Sequence, residues 1–167
     1  NNYGNSYLNT PTSTNLGTFS GVIPKYVEQI QLINESGLWY GFLVGGDGIE
    51  VASKIVRLNF GSTLSATPTA TDLGNIGSLA FPHDISFFKD NSNIWHAFIS
   101  NFSGSASRPG DNTITRLDFN SGIQNVPAGT NLGGFGTLNK PMGLQIIQDG
   151  SNYYLFVVNR NINKLVR

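Results

Sequence analysis

Lys54-Ile-Val-Arg57-Leu-Asn-Phe60-Gly-Ser-Thr-Leu-Ser-Ala-Thr-Pro68-Thr-Ala-Thr-Asp72-Leu-Gly74 recurs along the chain, and its recurrence sets the architecture. A second copy begins Thr113-Ile-Thr-Arg116-Leu-Asp-Phe119 and continues through Pro127 to Thr130-Asn-Leu-Gly133. Phe60 and Pro68 are eight residues apart, as are Phe119 and Pro127; Pro68 to Asp72 and Pro127 to Asn131 are both four. A third copy is divided between the two ends. Its front half, Lys164-Leu-Val-Arg167, stands last, and its back half, from Asn2-Tyr3-Gly4 through Pro11 to Thr14-Asn-Leu-Gly17, stands first. Tyr3 to Pro11 is again eight and Pro11 to Asn15 again four. The chain reads as three repeats, cut inside one of them.

Working outward, each copy is preceded by two apolar, aromatic-rich segments joined by a turn. In the first repeat these are Glu28–Asn34 and Leu38–Val44, with a Glu35-Ser-Gly37 turn between them. In the second they are Ile85–Phe88 and Ile94–Ser100, and in the third Leu144–Ile147 and Tyr153–Val158, with an Asp149-Gly150 hairpin turn. The third strands are Lys54–Phe60, Thr113–Phe119 and Lys164–Arg167, and a short fourth strand follows the proline, as at Thr69–Leu73. Residues 1–23 are expected to hold one short strand and loops, punctuated by Gly4, Pro11 and Gly17. Four short strands per roughly 50-residue repeat predict a β-propeller blade. The expected fold is therefore all-β: one propeller domain over 1–167, with repeats 24–81 and 82–140 and a split repeat of 141–167 plus 1–23. Each chain would carry three four-stranded blades. Rings need at least about four blades, so two chains joined head to tail into a six-bladed homodimer are expected, each N-terminal strand completing the partner's last blade; the alternative expectation is a piece of a longer array, with any association an artefact of cutting.

The stretch Pro141–Arg167, with Asp149-Gly150, Tyr154, Phe156-Val157, Asn159, Asn163-Lys-Leu165 and Arg167, resembles an NHL-type propeller blade. The fuller motif, with Leu-Asn-Phe-Gly and Thr-Asp-Leu-Gly, is similar to repeat arrays in large secreted bacterial proteins, including those of gliding, type IX-secreting bacteria. The resemblance implies a secreted or cell-surface setting. It also implies a range of activities, from protein- and ligand-binding modules to lactonases and lyases. No catalytic motif of that range maps onto these residues.

Composition narrows the function. Ten basic and ten acidic residues give zero net charge, and charged residues are 12% of the 167. That excludes a basic nucleic-acid face and an electrostatic membrane contact; no apolar run reaches the roughly 18 residues of a span. There is no Cys, so disulfides and thiolate metal sites are excluded. There is no Gly-x-Ser-x-Gly, His-Glu-x-x-His, phosphate loop or Gly-x-Gly-x-x-Gly. Only three Glu and seven Asp exist, several of them in turns or in the motif itself, leaving few for acid–base work.

The candidate residues lie in the loops and at recurrent positions. The loops between second and third strands (45–53, 101–112, 159–163) vary most and are expected on one face, where recognition concentrates. Their charged members are Asp47, Glu50, Arg108, Asp111 and Arg160. Asp47 and Glu50 raise the possibility of Ca²⁺, without the spaced carboxylates of an EF-hand; otherwise no cofactor is expected. His83-Asp84 stands at a strand entrance, and His83 and His96 are expected too far apart along their hairpin to share a metal. Trp39 and Trp95 open the second strands, as Tyr153 does, and offer either inter-sheet packing or sugar stacking. Arg57, Arg116 and Arg167 read as structural clamps on a neighbouring carbonyl or carboxylate. The expected function is a non-catalytic scaffold that binds a glycan or protein ligand. The alternatives are an NHL-like hydrolase or lyase with a channel metal, and a purely structural repeat. Against the enzyme, the positions matched by prolines (Lys25, His83 and Met142) carry no common chemistry.

Overall fold

The computed structural model describes residues 2–46, 52–102, 112–120 and 122–167. They form eleven strands: β1 (Tyr26–Glu35), β2 (Leu38–Gly46), β3 (Lys54–Gly61), β4 (Thr69–Gly74), β5 (Pro82–Lys89), β6 (Trp95–Asn101), β7 (Thr113–Asp118), β8 (Ala128–Gly133), β9 (Pro141–Asp149), β10 (Asn152–Asn159) and β11 (Lys164–Val166). Among the described residues there is no helix. The strands make three antiparallel meanders in sequence order, β1-β2-β3-β4, β5-β6-β7-β8 and β9-β10-β11, and none of the three closes on itself. One sheet falls in each repeat, and the first strands β1, β5 and β9 stand side by side.

Two sequence expectations need correction. The third sheet has three strands among the described residues, not four. Residues 2–23 form no strand: their only ladder contact is an isolated Asn2–Thr12 bridge. The physical reason is the absence of a neighbour. Residues 18–23 fold onto the outer side of the first sheet, where Phe19, Val22 and Ile23 pack on Leu43, Val56 and Leu58. Residues 2–17 pair with none of the three sheets, and an unpaired segment gains no ladder.

The core lies between the first and second sheets. Alternation sends Tyr40, Phe42 and Val44 of β2, with Ile55 of β3, toward the second sheet. Ile85 and Phe87 of β5, Ala97 and Ile99 of β6, and Leu117 of β7 answer them, and Phe119 and Ile123 close the outer end. Phe42 stands 4.8 Å from Phe87 and 5.5 Å edge-on from Phe119 by ring centroids. Arg57, beside Phe42 in the ladder, donates from one Nη to the Gln124 carbonyl and to the Asn125 carbonyl at 3.2 Å. It is a clamp across sheets onto the β7–β8 connection. The connection from β4 to β5 runs over β8 so closely that a Cβ on Gly129 would meet Ile76 Cγ2 at 2.5 Å and Gly77 N at 2.7 Å; glycine is required there.

The joint between the second and third sheets is different. Phe98 and Ile114 face Leu144, Leu155 and Val157, and Phe88 meets Tyr153 at 5.0 Å. Its outer end holds a cavity of about 540 Å³ lined by Phe98, Leu132, Phe135, Leu138, Tyr153 and Leu155 among others. Arg116, the counterpart of Arg57, turns to its own strand instead: its Nε and Nη2 each lie 3.0 Å from Asp118 Oδ2.

Candidate functional site

The starts of β1, β5 and β9 and the ends of β2, β6 and β10 lie at one end of the sheets, because each pair is antiparallel. The loops between second and third strands leave from that end. Each of the three hairpins has a register irregularity there: between Val27 and Gln29, between Pro82 and Asp84, and on β10 between Val157 and Asn159 opposite Pro141. The ladders put Val27 opposite Gly45, Pro82 opposite Asn101 and Pro141 opposite Asn159. These are equivalent places, so the counterpart of His83 is Glu28 in the first repeat and Met142 in the third. This corrects the match to Lys25, which rested on aligning Pro24 with Pro82. The first repeat carries three more residues between its proline and this position. Where Lys25 gave no shared chemistry, Glu28 gives a carboxylate beside an imidazole: Glu28 Oε2 is 3.5 Å from His83 Nδ1.

Around that pair the site is mixed. The His83 ring lies 4.6 Å from Phe102 and 5.3 Å edge-on from Phe81. Lys140 Nζ is 5.4 Å from the Phe102 centroid and the Arg160 guanidinium 6.0 Å. Two cations thus stand over one aromatic ring. A backbone bond from Arg160 N to the Lys140 carbonyl, 3.1 Å, ties the two segments together. Asp84 is held by the Leu144 N–H at 2.7 Å and its neighbour Ile85 at 2.8 Å, which fastens β5 to β9. Burial pushes the Asp84 carboxyl up, against these hydrogen bonds, a Gln29 side-chain bond and the nearby His83. Burial likewise lowers the His83 pKa; Glu28 and Asp84 oppose that shift and Arg160 adds to it. His83 is therefore held toward its neutral form, an acceptor and donor at once, with the Glu28 carboxylate beside it.

The other candidates sort by place. His83 and Arg160 come together at this end, while Glu28, Phe102 and Lys140 were missed. Phe102 lay inside a long loop with no periodicity to mark it, and Glu28 needed the ladder register. Asp47, Glu50, Arg108 and Asp111, and with them the Ca²⁺ expectation, lie outside the described residues. Trp95 is half-buried between sheets: its Nε1 donates to Glu35 at 2.8 Å, with Lys89 Nζ 5.3 Å from its ring. That indole bond, aided by Lys89 at 3.0 Å, holds the Glu35 carboxyl below its usual range despite partial burial. Trp39 sits half-buried on the outer face of the first sheet, opposite Asn34. His96 lies opposite Phe88, at the far end of its hairpin from His83, between Asp118 at 2.6 Å and Asp90 at 3.2 Å. Among the described residues no three His, Asp or Glu gather to hold a metal, and no helix is long and apolar enough to cross a membrane. No family model, no curated protein and no solved structure matches the chain.

Proposed function

We propose that the chain is a non-catalytic binding module: half of a six-bladed, NHL-like β-propeller completed by a second copy, acting as an adhesion scaffold in a secreted or cell-surface bacterial setting. The observation that carries the binding reading is the cluster of Glu28, His83, Phe102, Lys140 and Arg160. It is drawn from all three repeats and set at the end where the variable loops emerge. Two cations over an aromatic ring favour a carboxylate-bearing ligand, and polar neighbours on either side suit a hydroxylated one. An acidic glycan combines both. The test is an array of acidic and neutral glycans probed with the intact protein. Carboxylate-bearing glycans should be selected, and the selection should vanish in Lys140→Ala/Arg160→Ala. Binding without that selectivity, or binding indifferent to the substitutions, would overturn the assignment.

One observation favours the hydrolase or lyase alternative. The Glu28–His83 pair is an acid–base couple in the position where a channel site would fall. Turnover of a lactone ester that disappears in His83→Gln would support it.

A further inference from the structure

We infer that residues 2–17 of a second copy of this chain dock on β11 as the missing outer edge of the third sheet and fill the cavity beside Phe98. The inference rests on the two-copy ring above for its geometry and is independent of the ligand.

The N-terminal segment is already folded as the outer end of a repeat. Its Asn2–Thr12 bridge falls where Asn59 pairs with Thr69 and Asp118 with Ala128. Gly4 N donates to Asn2 Oδ1 at 2.8 Å, as Gly61 N does to Asn59 at 2.9 Å. Gly17 N donates to Asn15 Oδ1 at 2.8 Å, as Gly74 N does to Asp72 and Gly133 N to Asn131. The local shape is present and the sheet beneath it is absent. The motif spacing makes Tyr3 the counterpart of Phe119 and Tyr7 that of Ile123. Phe119 and Ile123 are fully buried between the first two sheets, whereas Tyr3 is 44% and Tyr7 83% exposed. The cavity between the second and third sheets lies where those two side chains belong.

The segment's own chain does not bring it there. Residues 18–23, which follow it, pack on the outer side of the first sheet, whereas the cavity lies between the second and third. A second copy has no such obstacle, and its first sheet meets a matching surface. On the outer face of the third sheet, Val158 is 52% and Leu165 66% exposed, although their counterparts Val44 and Ile55 are fully buried. An apolar sheet face this open calls for a cover.

Docking changes the partners of three conserved-in-repeat side chains. Arg57 clamps the fifth and sixth residues after Phe119, namely Gln124 and Asn125. By the same count, Arg116 takes the carbonyls of Leu8 and Asn9 of the second copy, leaving its bond to Asp118. Arg167, now 5.3 Å from the Tyr154 ring, takes Ser65 and Ala66 of the second copy. Trp39 gains Asp149 of the second copy, at the place Glu35 holds for Trp95.

The register is fixed by the second sheet, where Thr115 lies opposite Asn131 and Arg116 opposite Thr130. Docked, Val166 lies opposite Asn15 and Arg167 opposite Thr14. The chain has no cysteine, so Asn15→Cys/Val166→Cys under mild oxidation reads this register directly. The control is Thr115→Cys/Asn131→Cys, which closes the equivalent pair inside one chain. The expected result is a covalent dimer from the first variant and a monomer-mass disulfide from the second. Oxidation of the control with no dimer from the first variant would overturn the docking. If the unmodified protein then still weighed twice 18.0 kDa, the ring would survive with another joint; a monomer would remove both. A ladder beyond the dimer would overturn the reciprocal exchange. Tyr3→Ser/Tyr7→Ser should raise the dimer dissociation constant at least tenfold, and an unchanged constant would contradict the cavity assignment.

Discussion

The two joints between neighbouring sheets are made from the same repeat and end differently. Between the first and second sheets, Phe119 and Ile123 close the outer end, Arg57 bridges to two carbonyls, and Val44 and Ile55 are fully buried. Between the second and third, a cavity stands at the places of Phe119 and Ile123 and Arg116 turns back to Asp118, while Ser100 and Ile114, the counterparts of Val44 and Ile55, stay fully buried. The difference lies in what stands on the next sheet, since Phe98 and Arg116 repeat Phe42 and Arg57 closely. A sheet face in a repeat protein is specified by its own strands, but its burial depends on its neighbour.

Substitutions that strike one joint and then the other should separate them. Phe119→Ala, which opens the filled joint, should cost about 3–5 kcal/mol at any protein concentration. Phe98→Ala should cost less in dilute protein, and its cost should grow with concentration as copies associate. Denaturant melts at two concentrations check both. Leu165→Glu should abolish association while leaving the melt of dilute protein unchanged, because Leu165 is 66% exposed in the single chain; the readout is sedimentation velocity. Arg57→Ala strands two carbonyls and should cost about 2 kcal/mol. Arg116→Ala, which breaks a surface pair, should cost under about 1 kcal/mol in dilute protein.

The smallest effect expected is on pH. Burial lowers the His83 pKa from 6.5, so the folded chain binds fewer protons there than the unfolded one. The stability contribution of His83 is then complete above pH 6.5 and is lost as pH falls through its folded pKa. Asp84, raised from 3.8, acts with the opposite sign: its contribution is present below 3.8 and lost as pH rises through its folded value. His83→Gln should flatten the decline in stability as pH falls below 6.5, measured by denaturant melts across an acidic series. An unchanged slope would assign the decline to other groups.

Much of this architecture was legible in the chain. Repetition of Arg57-Leu-Asn-Phe60 placed all the third strands, and the aromatic openings at Trp39, Trp95 and Tyr153 placed the second. The clamp role expected of all three recurrent arginines holds for Arg57; Arg116 bonds Asp118 on its own strand and Arg167 stands over the Tyr154 ring. What the chain hid were places set by register. The bulge that aligns Glu28 with His83 is a local slip of the ladder, and proline spacing pointed to Lys25 instead. Phe102 became part of the site only when β6 set it beside the loop carrying Arg160. Residues 2–17 carried the letters of a strand, but a strand forms only when an edge is present to receive it.

The central claim, that the open joint is completed by a second copy, is tested most directly by solution mass from light scattering over a dilution series. The account predicts a mass near twice 18.0 kDa that falls toward one chain only on strong dilution. A single-chain mass at every concentration, from a cooperatively folded sample, would contradict it.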